Sequence, residues 1–243
     1  MENLESKTIA DIVSENIKTA DVFKKYGIDF CCGGGITLNK ACEKHQVDRD
    51  ELIKEINAAG KILDRQHDYK SWSPGFLAEY IQHTHHEYVR EALNLLDQYM
   101  SKVVKVHAGH HPALLEIQEL YEAVASELKQ HMMKEEHILF PYIKKMESAI
   151  SDAVKLPVAH FGTVRNPIQV MNQEHENAGD LLARIKVLSN NYTAPEWACN
   201  TFKALYAKLD EFEQDLHLHV HLENNILFPK AIELEQRINK GSE

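Results

Sequence analysis

Two stretches of this chain carry the same arrangement of metal-binding side chains. His131-Met-Met-Lys-Glu135-Glu-His-Ile-Leu-Phe-Pro141 returns 88 residues later as His219-Val-His-Leu-Glu223-Asn-Asn-Ile-Leu-Phe-Pro229. A spacing of four puts each histidine and its glutamate side by side on one helix face, able to reach a common centre. A fainter echo pairs His86-Glu87 with His175-Glu176 at an offset of 89 residues. Each half of the repeat therefore offers a lone histidine and then a His-x-x-x-Glu. The set holds imidazole and carboxylate without thiolate, which suits iron, manganese or zinc.

The chain has 15 histidines, so spacing alone does not select the ligands. Apolar periodicity does. Leu114, Ile117, Tyr121, Val124, Leu128 and Ile138 are spaced as one helical seam, and His131 and Glu135 occupy places in it. Leu209, Phe212 and Leu216 lead in the same way to His219, Glu223 and Ile226. His175 lies in register with Ile168, Met171, Ala178, Leu182 and Ile185, and His86 precedes Val89, Leu93, Leu96 and Met100. Such a seam faces the interior of a helical bundle. Four histidines and two glutamates then point inward, where an ionised carboxylate is costly unless it is paired or coordinated. The duplication favours two ions, each taking two imidazoles and sharing the carboxylates as bridges. His83, His85, His110, His111, His137, His217 and His221 fall off the seams or in loops and are expected in solvent. His83 and His85 compete with His86 for its place. His107 and His160 remain open as outer partners or an extra ligand.

The elements that must hold these residues are helices. Long helical patterns run at roughly 76–105, 112–147, 166–190 and 195–238, two helix pairs that make an all-α four-helix bundle with approximate two-fold symmetry. A small helical unit precedes it over residues 1–62. It has helices near Thr8–Asn16 and Thr19–Tyr26, a turn at Cys31-Cys32-Gly33-Gly34-Gly35, and a helix through Glu51–Ala59 that Asp48 can cap. The polar stretch 61–75 reads as a linker, so the bundle domain, 76–238, is expected to fold and bind metal from near Ser71 onward. A long connection around 152–166 is punctuated by Pro157 and Gly162.

Composition sets the class. Hydrophobic residues make up 44% and charged residues 26%, an ordinary globular balance, and the formal charge of -10 leaves no basic face for a nucleic acid. No run of about 18 apolar residues is present to span a membrane, and the polar start is unlike a signal peptide, so the cytoplasm is expected.

Cys31 and Cys32 are neighbours. Adjacent Cα atoms lie about 3.8 Å apart, whereas a disulfide usually needs roughly 4.4–6.8 Å. The pair is therefore expected as two exposed, exchangeable thiols, with nearby backbone donors favouring thiolate. Its expected role is a relay that accepts or passes metal, or a shield over the metal centre. Cys42 could assist, and Cys199 is expected to be a packing residue.

At these residues the chain resembles the haemerythrin-like di-iron domains. More closely, it is similar to the iron–sulfur cluster repair di-iron proteins, the repair-of-iron-centres (ScdA-type) family. Thr8-Ile-Ala-Asp11 and Tyr26-Gly-Ile-Asp-Phe-Cys-Cys-Gly-Gly-Gly35 look like that family's short cysteine-bearing domain. His131-Met-Met-Lys-Glu-Glu and Leu222-Glu-Asn-Asn-Ile-Leu-Phe-Pro229 look like its two metal motifs. The resemblance implies two non-haem iron ions, oxo- or hydroxo-bridged, with His86, His131, His175 and His219 as terminal ligands and Glu135 and Glu223 as bridges. It implies repair of clusters damaged by oxidative or nitrosative stress through supply of iron, a donor's task rather than a turnover enzyme's. A di-iron nitric oxide reductase and a gas sensor are the alternatives. Oxygen-carrying haemerythrins use five histidines and only four emerge here, which speaks against simple oxygen carriage. The implied partners are proteins with damaged iron–sulfur clusters, with nitric oxide or oxygen at the centre. No nucleic acid or membrane is implied, and a homodimer is compatible.

Overall fold

A computed structural model describes residues 4–60, 68–152 and 159–240. Residues 61–67 of the expected linker, and Pro157 in the long connection, lie outside the described residues.

Among the described residues the N-terminal unit holds four α-helices: α1 (Ile9–Glu15), α2 (Thr19–Lys25), α3 (Leu38–His45) and α4 (Arg49–Gly60). Their starts follow from the sequence. The Thr8 hydroxyl accepts from Asp11 N, and Asp48 Oδ1 accepts from Glu51 N at 2.9 Å. Sequence periodicity missed α3, which is short and begins where Thr37 caps Lys40 N.

The bundle holds four long helices, three of them interrupted by a π-helical turn. Helix α5 spans 74–107, with α-helix over Pro74–Tyr80 and Glu87–His107 and a π turn at Ile81–His86. Helix α6 spans 113–151, with its π turn at Glu135–Leu139. Helix α7 is Arg165–Leu188 and uninterrupted. Helix α8 spans 200–240, with its π turn at Glu223–Leu227, and starts five residues later than the periodicity predicts. Ser73 caps α5 with Pro74 in its first turn, so this helix begins inside the expected linker. Tyr69, from the same stretch, is buried. No helix among the described residues is long and apolar enough to cross a membrane.

Apolar side chains form two clusters along the bundle. One contains Val89–Val103 of α5, Leu114–Met132 of α6, Leu182 and Ile185 of α7, and Phe202–Val220 of α8. The other contains Leu77–Ile81, Leu139–Met146, Ile168–Met171 and Leu222–Leu234 from the same four helices. The chain passes between the clusters in alternating directions, so the helices run up, down, up, down. Helix α5 packs on α8, and α6 on α7. Each of the four helices carries its His or Glu ligand candidates at or near the level where one cluster gives way to the other. A polar layer is thereby held between two water-excluding apolar ones.

The N-terminal unit does not stand apart. Ile9, Val13, Phe23, Phe30, Leu38 and Leu52 belong to the first cluster together with the bundle residues. Lys24 pairs with Asp210 at 3.2 Å, and Asn225 Nδ2 donates to the Cys31 carbonyl at 3.0 Å. This continuity differs from the independent bundle read from the polar linker, because α1, α2 and the cysteine turn bury their apolar faces on α8.

Candidate metal centre

The structure brings His86, His131, Glu135, His175, His219 and Glu223 into one buried layer, each no more than 4% exposed. Their ligand atoms form two overlapping quartets, His86–Glu135–His219–Glu223 and His131–Glu135–His175–Glu223. The glutamates belong to both. Glu135 Oε2 lies 3.2 Å from His131 Nε2 and 3.3 Å from His86 Nε2. Glu223 lies 2.9 Å from His219 Nε2 through Oε1 and 3.2 Å from His175 Nε2 through Oε2.

The π turns help aim this set. Such a turn inserts one extra residue and shifts every later side chain around the helix. Glu135 and Glu223 open their π turns and His86 closes one. The shift overturns one seam position: Ile138 is 39% exposed, and Leu139 and Phe140 point inward instead.

The outer hydrogen bonds fix which imidazole nitrogen faces the centre. His86 Nδ1 meets Glu136 Oε1 at 2.7 Å, and Arg90 holds that carboxylate from outside. His131 Nδ1 meets Glu174 Oε2 at 3.0 Å, with Lys134 on the other oxygen. His175 Nδ1 meets Asn224 Oδ1 at 2.9 Å. In each case Nδ1–H donates outward, leaving Nε2 free to face inward, the arrangement typical of a metal-ligating histidine. Sequence reasoning missed Glu136, Glu174 and Asn224. The repeat held a signal for two of them, since Glu136 and Asn224 directly follow the duplicated glutamates. His219 differs: its Nδ1 is buried without a hydrogen-bond partner among the described residues, and the ring of His85 stacks on it at 5.5 Å.

Electrostatics show two buried carboxylates kept ionised by the imidazoles around them. Burial and the Glu223 carboxylate oppose ionisation of Glu135, yet His131 and His86 hold it below the usual carboxylate range. Burial likewise opposes ionisation of Glu223, yet His219 and His175 hold it well below that range. Burial disfavours a charged His131, but the Glu135, Glu174 and Glu223 carboxylates together outweigh this and lift the imidazole to about 10. Both oxygens of Glu135, Glu223 Oε2 and His86 Nε2 nevertheless lack a hydrogen-bond partner among the described residues. Orphaned buried acceptors of this kind are costly. Cations coordinated by the two quartets would satisfy them, so the donor set fits a metal.

Several histidines lie elsewhere than expected. His85 is 2% exposed and bonded to Asp215 at 3.0 Å, because the π turn swings it inward beside His86. His221 is fully buried under the N-terminal unit, with Nε2 at 3.2 Å from Ser14 Oγ. His217 is half-buried and meets the edge of the Phe30 ring. His83, His110 and His137 are exposed as expected, and His111 is half-buried. His107 and His160 join neither quartet. His107 Nε2 contacts Cys199 Sγ at 3.3 Å, and His160 is exposed. Cys199 is itself exposed at the start of α8, which corrects its expected packing role.

The cysteine turn lies beside this layer and is asymmetric. Cys32 is exposed, but Cys31 is buried, so the expected pair of exposed thiols is one. The contact with Cys32, burial and the Asp29 carboxylate push the Cys31 thiol well above its ordinary value, contrary to the thiolate expected from backbone donors. Those donors are taken: Asp29 accepts from the backbone N–H of Cys31, Cys32 and Gly33 at 2.8, 3.1 and 2.8 Å. A Cβ on Gly34 would approach the Phe30 carbonyl oxygen to 2.4 Å, so the turn needs glycine there. Cys42 is buried in α3, outside the Asp29–Cys31–Cys32 group. Cys32 Sγ lies 3.8 Å from Asn224 Nδ2, the amide that supports His175. A pocket of about 530 Å³ between the turn, α7 and α8 is lined by Cys31, Cys32 and His175 together.

Residues 78–231 match the Hemerythrin HHE cation binding domain, a span that contains all six converging side chains. The chain belongs to the hemerythrin HHE cation-binding family. Ahead of the hemerythrin domain, residues 5–60 match a Domain of Unknown function (DUF542), which here carries the cysteine turn. The iron-sulfur cluster repair protein ScdA of Staphylococcus haemolyticus is 36% identical over 222 residues, covering 91% of this chain and 96% of that protein. The iron-sulfur cluster repair protein YtfE of Edwardsiella ictaluri is 36% identical, covering 87% and 90%. That of Escherichia coli O81 is 38% identical, covering 88% and 91%. The likeness thus extends across both the cysteine-bearing unit and the hemerythrin domain.

Proposed function

We propose that this chain repairs iron–sulfur clusters damaged by oxidative or nitrosative stress, by supplying iron from a di-iron centre. The observation that carries this reading is the shared carboxylate pair. Glu135 and Glu223 each belong to two histidine-containing quartets, so two ions would share both glutamates as bridges. His86 and His219 would complete one ion's protein ligands, and His131 and His175 the other's. Iron bound there is a store held by neutral imidazoles and carboxylates, with the apolar layers excluding water. The names of the relatives support the repair role.

Delivery would proceed on the His175 side, where Cys32 is exposed and Asn224 spans the gap to the ligand. The cysteine pair is thus the relay, with Cys32 as the accessible thiol and Cys31 behind it. Recipients are proteins whose clusters have lost iron. In the Cys31→Ser/Cys32→Ser protein, serine keeps the turn but offers no thiolate. Iron content and visible spectrum should stay unchanged, while recovery of a cluster enzyme with this protein as sole iron source should fail. Full recovery would remove the thiols from the function, and loss of iron would make them part of the store.

The pocket favours a second reading. Its walls include Ile28, Phe30, Leu182, Leu216 and Val220 and reach His175, a path suited to a small uncharged gas. Multiple-turnover consumption of nitric oxide by the iron-loaded chain would favour a reductase. Single-stoichiometry loss of iron to a recipient favours the donor.

A further inference from the structure

The internal repeat also governs the outer hydrogen bonds, and there its two halves differ. Glu136 follows Glu135 and supports His86; Asn224 follows Glu223 and supports His175. These are equivalent places, yet one is a carboxylate clamped by Arg90 and the other a neutral amide. Glu174 precedes His175 and supports His131; His85 precedes His86 and stacks on His219 without accepting from it. A carboxylate behind an imidazole raises its basicity as a ligand, and a neutral amide does so less.

We infer that the ion held by His131 and His175 leaves first, because His175 opens onto the pocket, and that Asn224 is the positioning residue that sets how fast it leaves. This rests on the di-iron reading above and adds which ion is released and what sets the order. Access decides between the two weaker histidines. His219 lacks an outer acceptor, but it is 1% exposed and covered by His85, which Asp215 holds in place. Dissociation there opens into packed protein. His175 lines the 530 Å³ pocket, so a displaced imidazole and its ion meet open space beside Cys32. The amide of Asn224 suits both neighbours: Oδ1 accepts the His175 proton, and Nδ2 faces the Cys32 sulfur without repelling it. Release is ligand exchange alone. The bonds from His131, His175, Glu135 and Glu223 to that ion would break, the glutamates keeping their bonds to the other ion, bonds to the acceptor would form, and no electron moves.

The test uses the full chain loaded anaerobically with ferrous iron, mixed with a chromophoric ferrous chelator and followed by absorbance. Two phases of equal amplitude are expected. Asn224→Asp should slow only the fast phase, and Asn224→Leu should accelerate it, each by about tenfold or more, the usual scale for outer partners of a ligand. Glu136→Gln should accelerate only the slow phase. Opposite shifts from two substitutions at one position, confined to one phase, would not arise from general loosening. A single phase in the unmodified chain, or Asn224 and Glu136 variants acting on the same phase, would overturn the inference while leaving the di-iron reading intact. Fewer than two irons per chain before the chelator is added would instead sink the di-iron reading, and the inference with it.

Discussion

The imidazole of His221 and the hydroxyl of Ser14, 207 residues apart in sequence, meet at 3.2 Å with both side chains buried. Ser14 Oγ donates to the Ala10 carbonyl at 2.7 Å, so it accepts from His221 Nε2–H. Asn225 Nδ2 approaches His221 Nδ1 at 3.1 Å and can donate to it. This neutral imidazole therefore stitches α1 to α8.

An acid-sensitive junction follows. Burial lowers His221 from 6.5 to about 4. Between those values the unfolded chain binds a proton that the folded chain does not, so stability falls as pH drops through this window. The contribution is absent above about pH 6.5 and reaches on the order of 3 kcal/mol near pH 4. Urea unfolding of metal-free protein at pH 7 and pH 4.5 should show the loss. His221→Gln should reduce it, and an identical pH dependence in the variant would refute the assignment.

Glu135→Leu should lower bound iron more than His137→Ala. Glu135 is fully buried and belongs to both quartets, whereas His137 is exposed two residues away. Iron per chain, measured by elemental analysis after purification, should fall well below half of the unmodified value in the first variant. It should be unchanged in the second. Equal occupancy would show that Glu135 does not bridge.

A chain starting near Ser71 should lose stability rather than behave as an independent bundle. Removing the N-terminal unit exposes the faces of α8 on which α1 and the cysteine turn pack, and it leaves His221 without Ser14. Each kcal/mol lost would lower Tm by roughly 2–4 °C for a domain of this size. Thermal unfolding of the truncated and full-length metal-free proteins gives the comparison, and an unchanged Tm would restore the separable bundle.

The six converging side chains were legible because the seam that buries Leu128 and Leu216 continues through His131 and His219. Spacing carries that information directly. What spacing did not carry was the effect of the π turns, since an inserted residue leaves the sequence pattern intact while turning Ile138 outward and His85 inward. The outer acceptors were hidden for another reason. Glu136, Glu174 and Asn224 serve histidines on other helices, and a one-helix periodicity has no term for that. Burial of His221 was equally invisible, because its cover comes from α1 and the Phe30 loop. The raised Cys31 thiol was hidden because Asp29, which claims the backbone donors expected to favour thiolate, also accepts from Cys31 Sγ at 3.1 Å.

Gly179 tests whether the pocket is the path to the His175 side. It lies one helical turn beyond His175 on α7 and lines the same pocket, and a Cβ built there meets nothing within 4 Å. Leucine at this position would fill the pocket without clashing at its first atom. Replacing a helix-interior glycine should also stabilise α7 by up to roughly 1 kcal/mol, since glycine is about that much poorer than leucine in a helix. Gly179→Leu should therefore raise the unfolding midpoint slightly while slowing removal of the first iron by a chelator. Opposite directions for stability and release separate a blocked path from damage to the fold. Iron content should match that of the unmodified chain, because the six converging side chains are untouched. Release at the unmodified rate in a protein that is folded and fully loaded would place the exit elsewhere.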